Sequence, residues 1–396
     1  MPTGQLIKLY RIDRKKSTTN VATLAGITVR YLEMIEAGTK TPTLHVLRQI
    51  AKVLGVRTSA LLGEAPSEHH EGPVNPRLAE IERALFTYRS VSLLDRENQT
   101  DLADVDGRIT AAEEVWYLAP ESYVVLELLP GLIVDTERVV QEQGGSPESC
   151  KVAYRLYRLV RGVMKHVGRI DLCSMLADRC MRYAEESEDP LTTAAGSWTL
   201  GQAMLSDDMP HGALDVSLVS AQRLEASLSD GTPEDFSVYG GLIQIAAIAA
   251  TRTGDPWRSR DMLRDKAKPA AERVGEGHNY HNIFFGPTNV AIHSVSVELE
   301  NGEPGEALRL SNDVDISKVA SRERQFTHLM HVARCYEFKC NDTAVLVHLQ
   351  MAEKIRPQAF LYRKEPRQMV GSLVRRAKPS YASEVREFAS RIGILD

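Results

Sequence analysis

From residue 77 to the C-terminus, apolar residues recur at helical spacing, and the pattern is cut by Gly, Pro and Asp near 144–147, 187–190, 207–212, 230–233, 253–256, 301–305, 341–342 and 377–380. Breaks at roughly every 20 residues are a strong constraint. Each helix is too short to bury its apolar stripe alone, so the chain must pair helices and stack the pairs. The fold class expected is all-α, with no segment reading as a strand.

Within this stretch a two-helix register repeats. In its best copy Leu329, Val332, Ala333, Tyr336, Val345, Leu349, Ala352 and Pro357 run large, apolar, small, aromatic, small, large, small, proline. A second copy has Ser197, Leu200, Gly201, Met204, Ala213 and Ser217, and a third Ile243, Ala246, Ala247, Ala250, Ser259 and Leu263. Weaker copies lie at Leu156–Leu176 and around Val290–Leu310. A small residue on the first helix lets the second approach closely, while larger ones fill the seam between pairs. The register resembles that of tetratricopeptide repeats, lengthened to 38–48 residues between copies from the usual period of about 34. A generic helical bundle would show similar amphipathicity, so the stacked arrangement is an expectation.

Residues 1–63 read as a separate unit of five short helices, Leu6–Arg14, Thr18–Ala25, Val29–Glu36, Leu44–Leu54 and Ser59–Leu62. The stretch 64–76, EAPSEHHEGPVNP, carries three prolines and no apolar period and reads as a linker to a repeat domain at 77–396. His69, His70 and Glu71 within it are read as solvated rather than as metal ligands. Charge divides along the same line. Residues 1–62 hold five Lys and five Arg against Asp13, Glu33 and Glu36, a balance of +7, whereas the whole chain is −5 and the remainder therefore −12. A basic head on an acidic body suggests that only the head meets a polyanion.

The sharpest local signal is TTNVATLAGITVRYLEMIEAG, Thr18–Gly38. Ala22 is small where a second helix would cross, and Gly26 can take the positive φ that a tight inter-helix turn requires. Thr28 is placed to cap the second helix and Gly38 to stop it. With Leu32 and Ile35 turned inward, 3.6 residues per turn points Arg30, Glu33, Met34 and Ala37 outward, with Val29 at the edge. The segment resembles the Cro and phage-repressor (XRE) helix-turn-helix family, and the similarity continues through Ala37–Val56 and the closing turn Ser59–Leu62. The resemblance implies double-stranded DNA as partner, base reading by Val29, Arg30, Glu33 and Met34, and phosphate contacts from Thr18, Thr28, Thr39, Lys40, Thr41 and Thr43. Thr18 stands where the family commonly has a glutamine, so that contact would be shorter or lost. Among the reading positions only Arg30 is a strong donor, while Val29 and Met34 suit thymine methyls.

As a whole the chain resembles regulators that join such a head to tetratricopeptide-like helices, of which the peptide-sensing regulators of Gram-positive bacteria are the best known. That resemblance implies a homodimer formed through the repeats and a small-molecule or peptide effector on their concave face. The repeat register turns Tyr157, Arg161, Trp198, Gln202, Gln244, His331 and Arg334 toward that face, and the weaker copy adds Asn289 and His293. The neighbouring HNYHNIFFGPTN, His278–Asn289, either fills a seam between repeats or closes over a ligand. A protein-interaction adaptor is the alternative from another functional class.

No G-x-x-x-x-G-K-[ST], H-E-x-x-H or G-x-S-x-G is present, and Gly275-Glu276-Gly277 lacks the third glycine of a dinucleotide site, so neither enzyme, cofactor nor metal is expected. Cys150, Cys173, Cys180, Cys335 and Cys340 contain no C-x-x-C pair and read as small buried hydrophobes. No apolar run is long enough for a membrane span and no signal peptide is evident, which places the protein in the cytoplasm as an expectation.

Overall fold

A computed structural model describes residues 3–14, 16–54, 56, 58–62, 77–86, 101–119 and 121–395; the linker expected at 64–76 lies outside them. Among the described residues there is no strand, and no helix is long and apolar enough to cross a membrane. The first five helices are α1 (Thr3–Asp13), α2 (Thr18–Leu24), α3 (Val29–Glu36), α4 (Leu44–Leu54) and α5 (Thr58–Leu61). They enclose a core of their own, built on Ile7, Val21, Ala22, Leu32, Ile35, Leu47, Ile50, Leu54 and Leu61.

Two helices, α6 (Arg77–Leu85) and α7 (Leu102–Leu118), lead into α8 (Val125–Glu142). Antiparallel pairs follow: α9 (Pro147–His166) with α10 (Ile170–Glu186), and α11 (Pro190–Ser206) with α12 (Pro210–Glu225). Next, α13 (Pro233–Arg252) packs on a helix in three parts, α14 (Pro256–Asp261), a π-helical turn at Met262–Ala267 and α15 (Lys268–Val274). Then come α16 (Pro287–Glu300) with α17 (Pro304–Ser311) and α18 (Arg322–Phe338) with α19 (Asp342–Ile355). The chain ends in α20 (Ala359–Tyr362), α21 (Lys364–Arg376) and α22 (Ala382–Arg391). Every break read from Gly, Pro and Asp falls at a connection between these helices. Prolines at 147, 190, 210, 233, 256, 287 and 304 stand at first-turn positions, where the missing N–H costs nothing.

The small positions of the register are where helices touch. A Cβ on Gly201 would lie 2.9 Å from both Ile245 Cγ2 and Ser217 Oγ, so α11 can meet α12 and α13 at that level only without a side chain. The segment before α16 fills a seam: Ile283 and Phe285 are buried against α13, and the Phe284 ring lies 5.4 Å from that of Tyr117. Four cysteines are buried, but Cys340 is exposed because it sits with positive φ in the tight turn after α18 rather than on a packed face.

The first helices of the pairs form an inner layer in which α7 touches α9, α9 touches α11, and the series runs on through α13, α16 and α18. After one superhelical turn α18 returns to α7, so the stack is not open-ended as the sequence register alone suggests. Arg322 Nε donates to Leu118 O at 3.2 Å across this closure. Beside it, Glu323 accepts from Arg356 Nη1 at 2.6 Å, from Arg363 Nη2 and from His166 Nε2 at 2.8 Å. Burial alone would raise the Glu323 carboxyl, but Arg363, His166 and Arg356 hold it well below the usual carboxylate range. This ion cluster joins the main core, which runs from Ile81 to Val297, to the C-terminal core of α18–α22.

Candidate functional site

The Thr18–Gly38 segment folds as two helices across a tight turn. Ser17 caps α2 by accepting from Asn20 N at 3.1 Å, and Thr28 caps α3 by accepting from Tyr31 N at 3.2 Å. Gly26 has φ +68, which a β-carbon would strain, and Ala22 is wholly buried where α2 meets its neighbours. Leu32 and Ile35 are 0% and 1% exposed. They anchor α3 and leave Arg30, Glu33 and Ala37 in solvent, with Val29 and Met34 half-buried beside them. Among the described residues no carboxylate pairs with Arg30, so its fork of donors is available.

Residues 7–61 match the family described as Helix-turn-helix. Over 139 residues the chain is 28% identical to the immunity repressor protein of Bacillus phage phi105, which covers 35% of this chain and 90% of that repressor. It is also 31% identical over 85 residues to the HTH-type transcriptional regulator SinR of Bacillus subtilis (strain 168), covering 21% of this chain and 77% of SinR. The chain belongs to the helix-turn-helix family of transcriptional regulators.

In this helix-turn-helix regulator the residues expected at phosphates differ in what they can offer. Lys40 is exposed, and the Thr28 hydroxyl uses only a lone pair in capping and keeps its proton to donate. Thr39 is exposed, but both its N–H and its hydroxyl already donate to Met34 O, at 2.9 and 3.0 Å. Thr43 accepts from Val46 N at 3.2 Å as the cap of α4, and Thr18 and Thr41 are half-buried. Sequence reasoning missed the bidentate pair of Arg11 with Glu36, at 2.7 and 2.8 Å, which ties α1 to the end of α3 and fixes its angle.

It also missed how the head meets the body. Arg48 on α4 pairs with Asp208 at 2.6 Å and donates to Arg252 O at 3.2 Å. Arg252 is in turn forked to Glu300 by two 2.7 Å bonds. The His45 ring lies against Gly254, and Pro42 and Thr43 lie against Gly302. Burial raises the Tyr31 phenol, and the nearby Glu303 adds to the effect. The edge of the head that carries Pro42, Thr43, His45 and Arg48 therefore rests on the body, with Asp208 and Glu303 beside it. No local sequence pattern announces such a contact.

The inner face is narrower than the register suggests. Tyr157 is fully buried, its hydroxyl donates to Glu137 and its ring stacks on Tyr183 at 5.6 Å. Gln244 and Asn289 are 1% and 2% exposed, and Asn289 Nδ2 donates to Phe284 O at 2.7 Å. Trp198 is also buried, against Gly241 of α13. These four are corrections to the outward placement: Tyr157 is covered by α8 and α10, Trp198 by α13 and Asn289 by the segment just before α16, and Gln244 is enclosed within the layer, so neighbouring elements fill the angle that the register assigns to solvent. Gln202, His293, His331 and Arg334 remain half-exposed, with Arg334 over the Phe338 ring at 5.9 Å. Arg161 is 4% exposed, and its Nη1 donates to Gln202 Oε1 at 2.6 Å.

Proposed function

We propose that this regulator binds a double-stranded DNA operator as a homodimer, with α3 in the major groove, in the cytoplasm. The observation that carries the reading is the outer face of α3: Arg30 and Glu33 stand in solvent on a helix fixed from behind by Leu32 and Ile35. Val29, Arg30, Glu33 and Met34 read bases, while Lys40 and Thr28 meet phosphates, with lesser parts for Thr18, Thr39, Thr41 and Thr43. The similarity to an immunity repressor and to the transcriptional regulator SinR supports this reading. Residues 1–63 act as the DNA-binding domain, and 77–396 form a tetratricopeptide-like domain that carries the dimer contact and an effector site on its inner face. Selecting bound duplexes from a random pool tests the proposal, and a palindromic consensus is the expected product. Binding should weaken steeply between 50 and 200 mM salt, on the order of 10³-fold for six or more phosphate contacts. A protein-interaction adaptor would show little change.

Arg30→Ala should relax preference at one base pair per half-site and cost about 1–3 kcal/mol for a lost bidentate contact. Competition with operator variants checks this, and an unchanged ranking of variants would remove Arg30 from the reading set. The head exposes little surface once α3 faces DNA, so light scattering should give a dimer for the full chain and also for a fragment starting at Val74. A monomeric fragment would move the interface to the head. Half-sites should then lie about one helical turn apart.

A further inference from the structure

Three cations on the inner face form no ion pair among the described residues. Arg161, on α9, spends one nitrogen on Gln202, while its buried Nε and Nη2 have no partner. Lys165, one turn further along α9, is in solvent and makes no ion pair among the described residues. Arg324 projects from the N-terminal turn of α18 and likewise makes no ion pair among the described residues, feeling Glu323 only at a distance. The 2.8 Å bond between His166 on α9 and Glu323 on α18 brings the adjoining Lys165 and Arg324 to one seam, and Tyr117 at the end of α7 feels both Arg161 and Arg324. The carboxylates nearby are committed elsewhere. Glu113 holds Arg155 and Arg158 at 2.6 Å each, and Glu323 holds His166, Arg356 and Arg363.

Converging unpaired cations are costly in a shielded place, because each loses water and each repels the others. The cost shows in the groups themselves. The protein packed around the Lys165 side chain, whose surface still reaches solvent, lowers its ammonium to about 8 with Arg161 adding to the effect, and burial lowers the Arg161 and Arg324 guanidiniums. An oxyanion would supply the missing charge and accept from donors now without partners. Phe284, packed against Tyr117, supplies an apolar wall beside the cations, suited to the organic part of such a molecule.

We propose that the inner face binds the oxyanion group of a small acidic molecule, phosphate or carboxylate, through Arg161, Lys165 and Arg324. The proposal rests on the reading of this face as an effector site and names the chemistry of what it takes.

Calorimetry on the full-length protein, with inorganic phosphate in one arm and citrate in the other at matched ionic strength, tests it. Binding in either arm is the expected result, and the responding arm identifies the oxyanion. Arg161→Gln and Lys165→Gln should each weaken that binding by at least about tenfold, while Arg264→Gln on an exposed helix should not. Lys165 is solvated and unpaired, so its replacement leaves the fold intact even if the Arg161 variant is perturbed. Without added anion, Arg161→Gln should melt no lower than the parent, since it removes an uncompensated buried charge. The inference is overturned if neither probe binds, or if parent and both variants bind alike. Measuring DNA affinity with and without the bound anion separates the two ideas. Anion binding with unchanged DNA affinity would leave this site standing and sink the effector reading, whereas a DNA response to some other ligand without anion binding would do the reverse.

Discussion

Replacing Glu323 by Gln is expected to destabilise the body by about 3–5 kcal/mol, because it leaves Arg356 and Arg363 as buried charges without their shared carboxylate. Arg356 is 2% exposed and lies over the Trp116 ring at 4.8 Å, so it cannot swing out to water without unpacking the junction of the two cores. The same reasoning gives a pH dependence. The folded carboxyl is held below its ordinary value, so it binds fewer protons than the unfolded one in the acid range. Its contribution is complete above the unfolded value of about 4.3 and is lost as pH falls through the lower folded value. Urea unfolding of parent and variant between pH 3 and pH 7 checks both statements. A constant difference across that range would show that the carboxylate's charge is not what the arginines need.

Leu32→Ala should abolish binding to selected operator DNA while leaving the body's unfolding transition in place. Leu32 is completely buried at the centre of the head's core, and its truncation should cost about 2–5 kcal/mol. A core in a unit of this size rarely supplies more than about 3–5 kcal/mol in total, so the head would be largely unfolded. Calorimetry alongside a binding assay distinguishes this from loss of a contact. A variant that binds DNA as the parent does would show that α3 is supported from elsewhere.

Much of this architecture was legible because it is local. Proline and glycine act within a residue or two, so every break in the body fell at a connection, and the spacing of Ala22, Gly26, Leu32 and Ile35 set the geometry of α2 and α3. What escaped depends on residues far apart in the chain. Arg48 meets Arg252 across 204 positions, and the closure of α18 on α7 through Arg322 and Leu118 spans as many. Helical register told which way Gln244 and Tyr157 point from their own helix but not what other elements would place there, as Glu137 of α8 and Tyr183 of α10 are placed around Tyr157. Asn289 illustrates the limit, since the amide that looked ready for a ligand is taken by the Phe284 carbonyl five residues earlier. Thr39 is a similar case, a residue in a phosphate-facing position whose donors the chain itself consumes.

The return of α18 to α7 changes what kind of object the body is. An open stack of pairs stores its stability in neighbouring interfaces, so pairs can be added or removed, and it can fray from either end. Here the first and last helices of the inner layer are each other's neighbours through the Glu323 cluster and the Arg322 bond, and neither of them is free to fray. Removing one pair would break the lock between first and last as well as one seam. The body should therefore unfold in a single cooperative step, and it should fold slowly for an all-helical protein, because the contacts that close it wait on the longest loop in the chain.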